Sequence, residues 1–294
     1  MSDPNLRRSD KPTPPQPLPS PVVDNHTHLD ISRDGGAPPD VRAVIDEAVA
    51  VGVDRMVQVG CDLAGARFTE RVIDAHPELL GGVALHPNEA PKLYAAGELD
   101  AAYAEIERIA AHPRVRVVGE SGLDYFRTGP DGVAVQQESF RWHIELAKRF
   151  GKALQIHDRE AHEDVMRILA EQGAPEKTVL HCFSGDVAMA RECVERGYYV
   201  SVAGVVTFKN ARELRAALAQ VPLEQLLVET DAPYLTPSPH RGATNAPYLV
   251  PLTVRALAEV KNVDVPALCA ALSETSERVY GPVSYTHLTL PTIC

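Results

Sequence analysis

The sequence predicts an α/β fold of the (β/α)8 barrel kind, on three observations. Eight short runs rich in β-branched residues recur along the chain. Stretches with apolar residues at helical spacing lie between them, the pattern of parallel strands joined by crossover helices. No glycine-rich phosphate loop follows any strand, which disfavours an open doubly wound sheet. With 294 residues and 45% hydrophobic composition, the chain can fill one barrel-sized core.

The strands read PVVDNHTHLD (21–30), RMVQVGC (55–61), GGVALHP (81–87) and VRVVGESGLDY (115–125), then ALQIHD (153–158), TVLHCFSG (178–185), YYVSVAGVV (198–206) and LLVETDAPYL (226–235). The helical stretches carry their own punctuation. DVRAVIDEAVAVG (40–52) opens on a capping aspartate and stops at Gly52, and AVQQESFRWHIELAKRFG (134–151) stops at Gly151. Residues 1–20 are proline-rich and poor in apolar side chains, so a disordered lead-in is expected there. The barrel is expected over 21–282. The final VSYTHLTLPTIC (283–294) has no helical period and matches the translation of a sequencing-library adapter. It is expected to be a non-native tail, and His287 and Cys294 are left out of the site.

Charge and composition exclude several classes. A net charge of -11 is the opposite of a broad nucleic-acid-binding surface, so an anionic substrate must be held by cations or a few basic side chains. No apolar run approaches the ~20 residues that span a bilayer, and no signal-peptide core opens the chain. Five cysteines form no CxxC pair. A reduced cytoplasmic protein, monomeric or weakly oligomeric and without a membrane partner, is the expectation.

The strands share a habit: each begins apolar, and most end on a residue able to do chemistry. His26 and His28 end the first, two residues apart and so on one face. His86 ends the third, Glu120 the fourth, His157 the fifth and His181 the sixth; Glu229 and Asp231 end the eighth. Each alone has a plain structural reading. His157 or His181 could be a hydrogen-bonded core imidazole, Glu120 a buried ion-pair partner and Asp231 a turn cap. In a barrel, however, all C-terminal strand ends meet on one face, where active sites sit. Uncompensated, such a cluster is costly, and a cation would satisfy it. Imidazole plus carboxylate without thiolate suits Zn, Mn, Fe or Co and permits Mg. Six ligands exceed one tetrahedral ion and fit two ions ~3.5–4 Å apart, bridged by a carboxylate. His76, His112, His143 and His162 lie away from strand ends and read as structural or surface residues.

The strings DNHTHLD, GVALHPNEA, VVGESGLDY, IHDREA, HCFSG, TFKNA, LLVETDAPYL and HRGATNAPYLV follow one another across residues 20–282. In that order the chain resembles the TatD family of metal-dependent deoxyribonucleases. The resemblance implies a TIM barrel of the amidohydrolase-like kind, divalent metal ions and phosphodiester hydrolysis. It also implies that His26, His28, Glu120, His157, His181 and Asp231 are the ligands, with Glu120 the bridge. Two departures from the family pattern, Ser121 after Glu120 and Asn88 in the third place of HPN, touch no ligand position.

The expected mechanism uses the cations to supply a bridging hydroxide, with Asp231 as proton acceptor. Arg159, Lys209 and Arg241, in loops after strands five, seven and eight, are candidate phosphate contacts. Asn245 and His86 are further candidate substrate contacts. A cup at a barrel end admits a strand terminus more easily than a continuous duplex. The expected substrate is therefore DNA at single-stranded, 3′ or frayed ends, with RNA possible, and the expected activity an exonuclease. The competing reading is a C–N hydrolase of amidohydrolase type, since the wider fold serves both chemistries. Many such sites bridge their metals with a carboxylated lysine on strand four, but this chain has no lysine between Lys92 and Lys148. A third reading is a non-catalytic metal-binding barrel, whose mark would be a missing ligand, and none is missing.

Overall fold

The computed structural model of the chain describes residues 11–33 and 35–282. Eight strands are present among them: β1 (Val22–Thr27), β2 (Val53–Gly60), β3 (Leu79–Val83), β4 (Val115–Asp124), β5 (Ala153–Arg159), β6 (Thr178–Leu180), β7 (Tyr199–Val202) and β8 (Leu226–Val228). The helices are α1 (Val41–Ala50), α2 (Leu63–Ala75), α3 (Ala90–Ala96), α4 (Leu99–Ala110), α5 (Pro130–Phe150), α6 (His162–Gln172), α7 (Val187–Glu195), α8 (Arg212–Leu218), α9 (Val250–Lys261) and α10 (Val265–Tyr280). The strands pair in sequence order, all parallel. A parallel bridge between Thr27 and Ala232 and the hydrogen bond from His28 N to Ala232 O (2.8 Å) bring β1 to the segment after β8. The fold is the expected (β/α)8 barrel, nearly closed.

Two apolar layers hold it. The larger lies between strands and helices and includes Ile45, Leu79, Ile106, Phe140, Ile144 and Leu257, all fully buried. The smaller collects Val57, Val59, Leu80, Val117, Val179 and Leu227 from the strands with Val279 and Tyr280 from the end of α10. Val57 and Val59 share a face because strand side chains alternate. Asp40, Asp62, Asp186 and Asp264 cap four of the helices with side-chain oxygens. At Gly122, φ is +137°, and a Cβ would meet the His157 carbonyl oxygen at 2.1 Å, so only glycine lets β4 run this close to β5.

The structure differs from the sequence expectation at strand ends, at the start of α5 and in residues 11–20. β3 spans Leu79–Val83 rather than 81–87, so His86 lies beyond it, and β7 stops at Val202 before a 3-10 turn at Gly204–Thr207. β6 and β8 stop at Leu180 and Val228, so His181, Glu229 and Asp231 lie just beyond the ladder. These residues leave the ladder as the chain turns towards the mouth, and Asp231 takes a left-handed φ of +54°. α5 begins at Pro130 rather than at 134. Proline and glycine there resemble a loop, but proline at the first helical position loses no hydrogen bond.

The third correction concerns residues 11–20. The expected disordered lead-in for 1–20 does not describe them. Leu18 is buried and its N–H donates to Val51 O (2.9 Å). The Tyr248 hydroxyl donates to Pro12 O (2.8 Å), and the Arg255 guanidinium donates to Gln16 O and Pro17 O. A proline-rich segment needs no ladder partner and little core of its own when side chains of the barrel bind its carbonyls. The expectation for 1–10 and for the tail 283–294 lies outside the described residues.

Candidate metal centre

His26 and His28 converge from the end of β1, with Nε2 atoms 3.3 Å apart. Their other nitrogens decide what that means. His28 Nδ1 faces the Val59 carbonyl oxygen at 2.8 Å, which can only accept, so Nδ1 carries the proton. His26 Nδ1 faces Gln155 Oε1 at 2.8 Å. That end of Gln155 is the oxygen, because its Nε2 donates to Asn25 O (2.7 Å) and to the Tyr280 hydroxyl (2.9 Å). In the neutral imidazoles both Nε2 atoms are therefore unprotonated and turned on each other. They also face Glu120 Oε2, at 2.9 Å from His26 and 3.7 Å from His28, and Asp231 Oδ1, at 3.9 and 3.4 Å. With both imidazoles neutral these are four electron-pair donors around one point, which a cation satisfies. Without one, burial lowers His28, but Cys61, Asp231 and Glu120 outweigh burial and hold it well above the ordinary imidazole range, so that a proton takes the cation's place.

Glu120 has a second oxygen, and it looks elsewhere. Oε1 lies 3.0 Å from His157 Nδ1 and 3.1 Å from His86 Nε2. His181 Nε2 approaches Oε2 at 3.7 Å, while its Nδ1 faces Glu229 Oε1 at 3.1 Å. Asp124 Oδ2 lies 3.3 Å from His157 Nε2. The cluster thus has two lobes that share Glu120: His26, His28 and Asp231 beside Oε2, and His157 and His86 beside Oε1, with His181 reaching in at 3.7 Å and Asp124 behind His157.

The electrostatics keep the carboxylates charged. Burial alone would raise Glu120, but the surrounding imidazoles of His181, His157, His26 and His86 outweigh it and hold it well below the ordinary range. Asp231 is also lowered: burial opposes, and His28, His181 and His26 prevail. Burial and the neighbouring His181 push His26 down, towards its neutral, ligating form. His86 is lowered by burial too. Its Nδ1 accepts the Asn88 N–H at 3.0 Å, so neutral His86 holds its proton on Nε2, aimed at Glu120. His86 is placed as a hydrogen-bond donor into the cluster.

Beneath the cluster lies a polar layer. Glu229 accepts from Cys182 N (2.6 Å) and from the Ser201 hydroxyl (2.6 Å), which fixes the carboxylate that orients His181. Asn25 donates to Ser201 Oγ (3.1 Å) and accepts from the Tyr280 hydroxyl (2.9 Å). Tyr280 therefore ties the last helix through Gln155 to His26.

All the sequence candidates can now be placed. His26, His28, Glu120, His157, His181 and Asp231 come together, with His86 against them. Arg159 ends β5 and stacks on the Phe126 ring, 4.0 Å from its centroid. Arg241 stacks likewise on Phe208, at 4.0 Å, and Lys209 is exposed beside it in sequence. Asn245 departs from its expected substrate role. It is 3% exposed, its amide donates to Thr230 O (2.9 Å) and Tyr234 O (2.6 Å), and its oxygen accepts from Ala246 N. With that capacity spent, it holds the loop that carries Asp231. Three neighbours had been missed. Asp124 is four residues past Glu120 on the same strand, a signal that alternation could have given. Gln155 gave no signal. Cys61 directly follows β2, with Sγ 3.8 Å from His28 Nδ1 and from Glu120 Oε2, and burial with the nearby carboxylate pushes its thiol up to about 12. Cys182 was set aside on strand alternation, but β6 ends before it and its φ is +44°.

An eight-stranded parallel barrel with this histidine–carboxylate cluster at the C-terminal strand ends defines a metal-dependent hydrolase. The chain belongs to the TatD related DNase family, whose model matches residues 23–281. The metal-dependent hydrolase TatD of Mycobacterium tuberculosis (strain ATCC 25618 / H37Rv) is 49% identical over 266 residues, covering 88% of this chain and 98% of that protein. The metal-dependent hydrolase YabD of Bacillus subtilis (strain 168) is 35% identical over 261 residues, covering 88% and 98%. The crystal structure of YJJV, a TatD homologue from Escherichia coli K12, superposes with a TM-score of 0.80 at 26% identity, covering 89% of this chain and 98% of that one.

Proposed function

We propose that the protein hydrolyses phosphodiester bonds of DNA with two divalent cations, working inward from single-stranded or frayed ends. The observation that carries this reading is the convergence of His26 and His28 Nε2 with Glu120 and Asp231 oxygens on one point. His26, His28 and Asp231 would hold one cation, His157 and His181 the other, and Glu120 both. Bound divalent cations supply Lewis-acid activation of water and neutralise charge on phosphoryl oxygens; Mg, Mn, Zn, Co and Fe all suit these donors.

The chain's own residues do the rest. Asp231, kept ionised by the neighbouring imidazoles, accepts the proton of the attacking water. The left-handed backbone at Asp231 is pinned by its N–H to His26 O (2.9 Å) and by Tyr234 N to its own carbonyl (2.9 Å), which holds the carboxylate in position. His86, whose Nε2 proton faces Glu120, donates that hydrogen bond to a phosphoryl oxygen when the substrate is bound. Arg159, Lys209 and Arg241 meet the strand's other phosphates on a protein whose net charge is -11.

The test compares substrates. Chelator-treated protein, before and after addition of Mn, Co, Zn or Mg, is assayed on a single-stranded oligonucleotide, closed circular DNA and a cyclic amide. Metal-dependent shortening of the oligonucleotide from one end is expected. Efficient nicking of the circle would exclude the exonuclease, and turnover of the amide alone would move the function to C–N hydrolysis.

A further inference from the structure

We propose that the barrel mouth carries an aromatic platform on which nucleobases stack. Phe126 under Arg159 forms it on one side, and Tyr234 beside His28 forms it on the other. The inference rests on the nuclease reading above and names what holds the substrate there.

Large hydrophobic side chains in the open are few. Among the described residues they are Val49, Tyr94, Phe126 and Tyr234. Phe126 is 58% exposed and Tyr234 42%. Both sit on loops that leave the C-terminal ends of strands: Phe126 two residues after Asp124, Tyr234 three after Asp231. The Tyr234 ring centroid is 6.5 Å from that of His28.

Neither ring rides on a slack loop. The Asp124 carboxylate accepts from Arg127 N (2.9 Å) and from Asn88 Nδ2 (2.9 Å), and the Asp124 N–H donates to Gln136 Oε1 (2.9 Å), so the turn bearing Phe126 is tied on both sides. Tyr234 is fixed through its backbone to Asp231 and to Asn245. Turns fixed in this way leave only the ring torsions to order when a ligand stacks on the rings.

The arginines fit the same purpose. Arg108 and Arg167 of this chain pair with carboxylates. Among the described residues Arg159 and Arg241 instead lie over Phe126 and Phe208, each 4.0 Å from the ring centroid. A guanidinium on an aromatic face makes a flat surface that accepts a base, while its charge stays available to a phosphate. Stacking is indifferent to sequence, because every base has a π-face, and it needs no broad basic surface. That suits an acidic protein that must still hold a polyanion.

The experiment uses metal-loaded protein and short phosphorothioate strands that resist hydrolysis, with 2-aminopurine near the end. One set carries natural bases, and the other replaces the terminal bases by tetrahydrofuran abasic residues. Binding is read by anisotropy and by quenching of 2-aminopurine. Wild type should bind the base-bearing strand ~10-fold or more tightly than the abasic one and quench the probe. Phe126→Ala and Tyr234→Ala should each lose most of that preference, and Phe126→Trp should keep it. Equal affinity for the two strands, or alanine variants that keep the preference, would overturn the platform. The two readings separate in parallel assays on ordinary oligonucleotides. Base preference without hydrolysis leaves the platform standing and removes the nuclease. Hydrolysis with equal KM for base-bearing and abasic strands does the reverse.

Discussion

Glu120 places one oxygen in each lobe of the cluster, and Asp231 serves one lobe alone. Their substitutions should therefore differ in kind. Glu120→Gln should cost metal content first, because the donor shared by both lobes is gone. Asp231→Asn keeps an oxygen for the metal and loses the proton acceptor; turnover should fall ~10²-fold or more with metal largely retained. Elemental analysis beside kcat separates the two. Gln155 never touches the cation point, yet it fixes which nitrogen of His26 is protonated. Gln155→Leu should weaken metal binding by ~10–100-fold, the usual scale for a residue that orients a ligand. Why some of these residues were legible and others were not follows from their chemistry. His26, His157 and His181 end apolar runs, where an imidazole is conspicuous. Gln155 is an ordinary amide inside a strand, and only its partners make it matter. Asn245 misled because an exposed-looking polar residue in a loop was in fact buried and committed to backbone groups.

At the scale of elements, α5 and the strap of residues 11–20 supply the measurable features. His143 on α5 accepts the Leu85 N–H at Nε2 (3.1 Å) and donates from Nδ1 to Ser139 O (2.7 Å). Burial pushes it down to about 4. The unfolded chain then takes up this proton first as pH falls below ~6.5, so the stability from neutral His143 is full above that value and is lost towards pH 4. Between pH 7 and 5 the loss should be about 2 kcal/mol, and His143→Gln should flatten that limb in urea unfolding. The strap predicts a second effect. Leu18→Ala should destabilise by roughly 2 kcal/mol, and removal of 11–20 by more, because the acceptors of Tyr248 and Arg255 go with it. A deletion with unchanged Tm would show that the strap only rests on the barrel. Strand positions were legible from their β-branched runs. The strap was not, because its partners lie in other elements: Val51 O after α1, and Tyr248 and Arg255 more than 200 residues away.

For the whole molecule, the barrel turns strand ends dispersed from residue 26 to residue 231 into neighbours. That gathering was readable once the strands were counted, because topology alone dictates it. The acidic surface has its own consequence. If three cations meet the strand's phosphates, log K should fall with log salt by a slope of only about 2. A slope beyond about 4 would require more phosphate contacts than these three side chains supply.

The central claim is that the cluster around Glu120 holds divalent cations on which hydrolysis depends. The most direct test is the metal content of the purified protein measured alongside its turnover of a single-stranded oligonucleotide, for wild type and for Glu120→Gln matched in circular dichroism. The account predicts about two divalent ions per wild-type chain, fewer in the variant, and activity that tracks metal through chelation and reloading. Full turnover by wild-type protein shown to be free of metal, or a Glu120→Gln variant with undiminished metal content, would contradict it.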